Sequence, residues 1–162
     1  MDFTTADLCD AFPRLVQSAE PLFRDYGGVD RFAGPIETLK VHEDNALVRQ
    51  ALEASGRGRV LVVDGGGSLR CALLGGRLAT LAHERGWAGV LINGCVRDSL
   101  ELRQIPIGIR ALNTSPMRPG KRGDGARGGV VSFAGLAFSE GKYLYADGDG
   151  LLLADRNLLQ SP

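Results

Sequence analysis

The chain has 162 residues, 44% of them apolar, with nineteen basic and nineteen acidic side chains that cancel. That balance argues against a face built to grip a nucleic-acid backbone, and no apolar run approaches the roughly 20 residues a membrane-spanning helix needs. The acidic start MDFTTADLCDAF lacks the basic segment of a secretory leader. The expectation is a cytoplasmic protein of one domain over 1–162, with neither membrane nor direct nucleic-acid contact.

Taken in order, Thr4 or Thr5 caps a short helix through 6–12, which Pro13 stops. Residues 20–26 end at the turn signal Gly27-Gly28. Residues 32–41 alternate apolar and β-branched side chains and predict a strand. Asp44 and Asn45 are caps for a helix through 46–52, closed by Gly56. Residues 59–64, RVLVVD, form an almost unbroken apolar run, the mark of a strand covered on both faces. After Gly65-Gly66-Gly67 comes a short apolar piece, 69–74. Leu78, Leu81, Ala82 and Arg85 then recur at helical spacing, and 88–92 predicts a second buried strand. Strand, helix and strand with short links make a crossover unit of a parallel or mixed sheet. Residues 105–112 predict another strand. Residues 117–129, rich in Gly and Arg, predict a loop that is a candidate for disorder together with the two termini. Residues 130–133, 143–146 and 150–153 are strand-like, and Asp147-Gly148-Asp149-Gly150 is a hairpin turn. No second domain, repeat or heptad pattern is visible.

Three cysteines, Cys9, Cys71 and Cys95, are odd in number and lack CxxC spacing, so neither a disulfide framework nor a zinc site is expected. Of the nineteen basic residues only Lys40, Lys121 and Lys142 are lysine. Arg is the better fork for a carboxylate. None of the lysines sits in an apolar setting, so Schiff-base chemistry is disfavoured. His42 and His83 lack ligand spacing and read as structural or surface residues. Asp64-Gly65-Gly66-Gly67-Ser68 lacks both the GK[ST] ending and the GxGxxG spacing of nucleotide loops. Its glycines instead allow close backbone packing. Arg118, Lys121, Arg122 and Arg127 form a local basic cluster that suits a polyanion, an acidic protein or a solvated loop.

The strongest chemical signal is Arg97-Asp98, placed just past a predicted buried strand, where open α/β sheets hold ligands. Asp offers a hard oxygen to Mg²⁺ or Mn²⁺, and Arg offers a fork to a carboxylate. Together they suit a 2-oxo acid. The same pair also reads as a surface ion pair, or Asp98 as a helix cap. Gly75-Gly76-Arg77-Leu78 opens a predicted helix, whose free N–H groups form an anion site.

The combination DGGGSLRCALLGG, then Gly76 and Arg97-Asp98 with twenty residues between, then LYADGDGLLLA, resembles the RraA-like family from Asp7 through Ala154. That family includes the regulator of ribonuclease E activity A and metal-dependent 4-hydroxy-4-methyl-2-oxoglutarate aldolases. The resemblance implies an α/β fold of the swivelling β/β/α type with a mixed sheet, and a ring-shaped homotrimer with sites at subunit interfaces. It implies a class II aldol lyase releasing pyruvate, with oxaloacetate decarboxylation as a side activity. Asp98 would hold Mg²⁺ or Mn²⁺, Arg97 would grip the substrate and its enolate oxygen, and the backbone of Gly75, Gly76, Arg77 and Leu78 would bind a pyruvyl carboxylate. Two departures stand out: Gly76 occupies the position where aldolases of the family carry an Asp, and the longer C-terminal part that supplies an acidic residue across the interface is not seen before Pro162. The regulator branch instead implies a non-catalytic protein that binds and inhibits ribonuclease E.

Overall fold

The apolar runs become the middle of a ten-stranded mixed sheet. A computed structural model describes residues 2–161. In chain order the elements are α1 (Thr5–Ala11), β1 (Val16–Ser18), β2 (Arg24–Asp25), β3 (Phe32–Lys40), α2 (Ala46–Glu53), β4 (Val60–Asp64), β5 (Ala72–Leu74) and α3 (Gly76–Glu84). Then follow β6 (Gly89–Val96), α4 (Ser99–Leu102), β7 (Gly108–Thr114), β8 (Ala126–Arg127), β9 (Val131–Phe133), β10 (Leu136–Phe138), β11 (Tyr143–Asp147) and β12 (Gly150–Ala154). The strand order is β1-β12-β11-β3-β4-β6-β7-β2, with β5 attached to β6 and β8 to β3.

Strands β3, β4, β6 and β7 run parallel, and β5 is parallel to β6. The flanking strands pair antiparallel. Strand β3 serves both halves: Phe32–Pro35 pair with β11, and Ile36–Lys40 pair with β4. The result is a mostly β, mixed-sheet α/β fold with few helices, as expected from the sequence. Among the described residues no helix is long and apolar enough to cross a membrane.

The period of two explains why β4 reads as a continuous apolar run. Leu61 and Val63 pack on one face with Val48 and Leu52 of α2 and Ala79 and Ala82 of α3. Val60 and Val62 pack on the other with Leu91, Phe138 and Leu144. Each such side chain stabilises the fold by roughly 1.5–3 kcal/mol through burial. A third cluster, with Phe3, Leu8, Tyr145 and Leu158, seals α1 onto the β11–β12 hairpin. Asp147 fastens that hairpin: its carboxylate accepts the Thr5 N–H and hydroxyl, both at 2.7 Å. Arg110, 4% exposed, sits over the Phe32 ring, donates to the carbonyls of Asp30 and Asp147 and lies 2.8 Å from the Asp25 carboxylate.

Several expected boundaries move. Helix α1 ends at Ala11 rather than at residue 12, with Thr4 as the cap: its hydroxyl accepts the Asp7 N–H. Strand β6 does not stop at residue 92 but continues to Val96, because a bulge carries the pairing with β7 past Asn93-Gly94. Residues 105–107 are not strand; Ile107 N–H bonds back to Ile105 O in a turn, and β7 starts at Gly108. The short β1, β2, β8, β10 and helix α4 were not anticipated. The loop expected to be disordered, 117–129, is tied down instead. Its Gly120 exchanges hydrogen bonds with Glu43 and Asn45, and Gly128 and Gly129 bond to Thr38. Of the disorder expected at the ends, Met1 and Pro162 lie outside the described residues. Phe3 and Leu158, just inside them, are buried.

Candidate active site

Strand register brings the two sequence motifs together. Leu74 at the end of β5 pairs with Val96 at the end of β6, and the Arg97 N–H donates to Leu74 O at 3.0 Å. The chain leaving β5 therefore enters Gly75 and α3 beside the chain leaving β6, which enters Arg97, Asp98 and α4. This is the carboxyl edge of the parallel strands, where ligands bind in open α/β sheets.

Asp98 has a left-handed backbone, φ 62° and ψ 43°. Asp tolerates that region better than most residues, and such conformations cluster at functional sites. Its Oδ2 accepts the Gly76 N–H at 2.9 Å. The N-cap of α3, Gly75, has no side chain, so Asp98 caps the helix from the neighbouring loop. A Cβ at Gly75 would lie 2.7 Å from Asp98 Oδ2, which is why a glycine stands there. The capping reading of Asp98 thus holds, while no ion pair joins it to Arg97 among the described residues. One carboxylate oxygen, Oδ1, carries no hydrogen bond among them.

The first-turn N–H groups of Arg77 and Leu78 have no helical partner and remain available to an anion. Arg97 is half-buried. Its Nη1 makes only a 3.5 Å contact to Pro116 O, and among the described residues no carboxylate pairs with it.

One acidic residue was missed from the sequence. Glu101 lies on α4, three residues past Asp98, and both line the same cavity. Its carboxylate occupies the space that a side chain at Gly76 would enter. The missing side chain at 76 and the carboxylate at 101 are therefore two aspects of one arrangement. The i, i+3 acidic spacing after Asp98 was the available signal, but a four-residue helix gives no periodicity to reveal it.

These groups line a cavity of about 550 Å³. Its far wall is α2 and the 117–129 loop, contributing Asn45, Arg49 and Lys121. Asp44 builds that wall. The sequence named Asp44 and Asn45 together as caps, and Asp44 does the capping: Oδ1 accepts Ala46 N–H at 3.1 Å, and the carboxylate also takes the N–H groups of Arg122 and Gly123. Asn45 instead donates its side-chain amide to Leu73 O. Burial pushes the Asp44 carboxyl up, but the three N–H donors outweigh it and hold it below the usual aspartate range.

Other candidates lie elsewhere. The Asp64–Ser68 loop wraps a buried carboxylate: Asp64 accepts Lys40 Nζ at 2.9 Å, Asn93 Nδ2 at 3.0 Å and Gly66 N–H at 2.9 Å. His42 and His83 are exposed. Cys71 and Cys95 are buried free thiols, and burial pushes both up. Of the basic cluster only Lys121 lines the cavity; Arg122 faces Asp124 at 3.6 Å and Arg127 faces Glu37 at 4.0 Å. Among the described residues no group of three or more His, Cys, Asp or Glu is poised around one point. Asp98, whose Oδ1 carries no hydrogen bond among the described residues, suits a hard cation that keeps most of its water, as Mg²⁺ does.

The RraA-like family model, described as Aldolase/RraA, matches residues 5–153. A protein of Alkalilimnicola ehrlichii, provisionally named 4-hydroxy-4-methyl-2-oxoglutarate aldolase, is 52% identical over 161 residues, covering 99% of this chain and 100% of its own. One of Methylococcus capsulatus with the same provisional name is 53% identical, covering 98% of this chain and 100% of its own. Among solved structures, a Thermus thermophilis protein described as the RNA-processing inhibitor RraA superposes with TM-score 0.94 at 48% identity, over 99% of both chains. A Geobacillus kaustophilus structure described as an S-adenosylmethionine:2-dimethylmenaquinone methyltransferase superposes with TM-score 0.97 at 52% identity, over 99% of both chains.

Proposed function

The chain belongs to the RraA-like family, and on that footing we propose that it is a lyase cleaving 4-hydroxy-4-methyl-2-oxoglutarate to pyruvate, with oxaloacetate decarboxylation through the same enolate. The observation that carries this reading is the convergence of Arg97, Asp98, Glu101 and the α3 N-terminus on one cavity. The aldolase names of relatives above 50% identity support it.

Both reactions break a carbon–carbon bond beside a carbonyl and leave its electrons on a pyruvate enolate. The N–H groups of Arg77 and Leu78 bind the pyruvyl carboxylate, and the N-terminal dipole of α3 favours that charge. The Arg97 guanidinium donates to the 2-oxo oxygen, where negative charge develops. Asp98, whose Oδ2 accepts the Gly76 N–H, would hold Mg²⁺ or Mn²⁺ through its free carboxylate oxygen. The cation, when bound, supplies Lewis-acid stabilisation of that same oxygen. Glu101 takes the proton from the substrate C4 hydroxyl as the C3–C4 bond breaks and returns it to C3 of the enolate, giving the second pyruvate. In oxaloacetate the departing fragment is carbon dioxide and no hydroxyl proton is moved. The cationic cavity is a poor match for the positively charged sulfonium of S-adenosylmethionine, so the methyltransferase description is not carried over.

We further propose that the chain works in the cytoplasm as a homotrimer with sites at subunit interfaces. The exposure of Leu100 (82%) and Met117 (62%), both close in sequence to Asp98 and Lys121, suits a face covered by a second copy. A purified protein that sediments as a monomer would overturn that assembly.

The decisive assay is pyruvate release from either substrate with Mg²⁺ or Mn²⁺. The expected result is a rate above the metal-only background, abolished by chelator and by Asp98→Ala. No rate above background would overturn the lyase reading. A second reading, favoured by the 48% identity to the RNA-processing inhibitor, is a regulator that binds ribonuclease E. Lack of binding to that enzyme at micromolar concentration would remove it.

A further inference from the structure

We propose that the open edge of β1, with the cationic groove beside it, docks an extended acidic segment of a partner protein by strand addition. Strand β1 ends the sheet, and among the described residues its one strand partner is β12. Strands β12, β11, β3 and β4 stand between it and β6 in the sheet order, so the edge is separate from the cavity at Arg97 and Asp98.

Register decides which backbone groups face outward. Ala19 N–H donates to Leu151 O at 3.0 Å, and the same ladder sets Ser18 opposite Leu152 and Gln17 opposite Leu153. Bonded and non-bonded pairs alternate along antiparallel strands. Gln17 therefore bonds to β12, while the N–H and C=O groups of Val16 and Ser18 point away from it. Among the described residues no acceptor takes the N–H of either. A free edge of this kind is a template for a further strand.

Side chains alternate as well. Val16 packs toward α1 with Leu8 and Phe12. Leu15 and Gln17 face the other way and line a groove of about 630 Å³. Across that groove Arg14, Lys142 and Arg156 meet a single carboxylate, Asp155. Lys142 Nζ lies 3.8 Å from it, and the Asp155 side chain is 93% exposed, so the pair is weak. Arg14 and Arg156 are exposed and, among the described residues, make no ion pair and no side-chain hydrogen bond. An added strand sets every second side chain over the groove, where carboxylates meet the uncommitted guanidinium groups. A second copy of this chain is a poorer occupant: its own residues 14–18, RLVQS, hold no carboxylate and bring another arginine.

The probe is the fluorescein-labelled hexapeptide (Glu-Val)₃, titrated by anisotropy against the full chain, with (Lys-Val)₃ as control. The acidic peptide is expected to bind at least about tenfold more tightly, and backbone NMR is expected to show its largest shifts at Val16 and Ser18. Ser18→Pro removes one outward N–H and spares the pairing with β12, which does not use it. It is expected to weaken the acidic peptide about tenfold, through the lost bond and the ring that meets the incoming strand. Thermal melting checks that its fold persists. Arg14→Glu/Arg156→Glu touches no ladder bond and is expected to abolish the preference for the acidic peptide; it decides the matter if the proline variant melts early. Equal affinity for the two peptides, or no binding of either at millimolar concentration, overturns the proposal. So does unchanged binding to both variants. Self-association of the chain that is lost in Ser18→Pro, with no peptide bound, assigns the edge to a second copy and overturns it too.

Discussion

Replacing Asp98 by Asn and by Ala separates its two duties. Asp98 caps α3 through the 2.9 Å bond from Gly76 N–H and does so from a left-handed backbone with φ 62°. Ala loses the cap, at about 1 kcal/mol, and adds about 1 kcal/mol for placing an ordinary residue in that conformation. The sum of about 2 kcal/mol lowers Tm by roughly 4–8 °C in a chain of this size. Asn keeps an acceptor oxygen and tolerates the left-handed region, so its Tm should fall by no more than about 2 °C. Asn nonetheless lacks the charge that would hold a divalent cation. Melting curves and coupled pyruvate-release assays on both variants give the comparison. Asn is expected to keep wild-type stability and to fall to the metal-only rate; Ala is expected to lose both. An Asn variant with substantial turnover would show that the carboxylate charge is not needed. An Asn variant as unstable as Ala would refute the capping argument.

Glu101→Ala should lower turnover by about 10²–10⁴-fold, the range for losing a general base, while leaving Tm nearly unchanged because the side chain is exposed. Unchanged turnover would remove Glu101 from the proton transfer. Gly76→Asp introduces a side chain into the space that Glu101 fills; a double-mutant cycle with Glu101→Ala should show favourable coupling, and additive effects would contradict the shared space. Asp44→Ala leaves three N–H groups without their acceptor and should cost about 2–3 kcal/mol, with KM rising more than kcat falls; steady-state kinetics and melting check it, and an unchanged KM would separate the wall from substrate binding. Burial pushes the Asp44, Asp64 and Asp147 carboxyls up, but their hydrogen-bond donors outweigh it, and all three lie below the usual 3.8. Because their folded values lie below the unfolded one, their stabilisation is complete above about pH 4 and is lost as pH falls through the folded values. Asp25, raised by burial, acts with the opposite sign but alone. The urea midpoint should therefore drop below pH 4; a flat or rising midpoint would contradict this.

The buried strands were legible because burial on both faces leaves a local trace. Val60–Val63 contains no residue that water would want, and Asp64 offsets its burial with three donors. The pairing of Gly76 with Asp98 was legible only as two motifs a fixed distance apart; the register of β5 on β6 turns that distance into contact. What escaped was set by long-range geometry. Strands β1 and β2 have three and two residues, too few for alternation to register. The reach of β6 depends on a bulge that its own residues do not announce. The far wall of the cavity depends on Asp44 meeting residues 122 and 123, some eighty positions away, so Arg49 read as ordinary helix-surface charge and Lys121 only as one member of a basic loop cluster.

The central claim is that this cavity stabilises a pyruvate enolate. Exchange of the pyruvate methyl protons for deuterium in D₂O, followed by proton NMR with Mg²⁺ or Mn²⁺, isolates that step from any bond cleavage. The account predicts enzyme-dependent exchange well above the metal-only rate, lost in Asp98→Asn and strongly reduced in Arg97→Ala. Exchange no faster than metal alone, from folded protein that binds pyruvate, would contradict it.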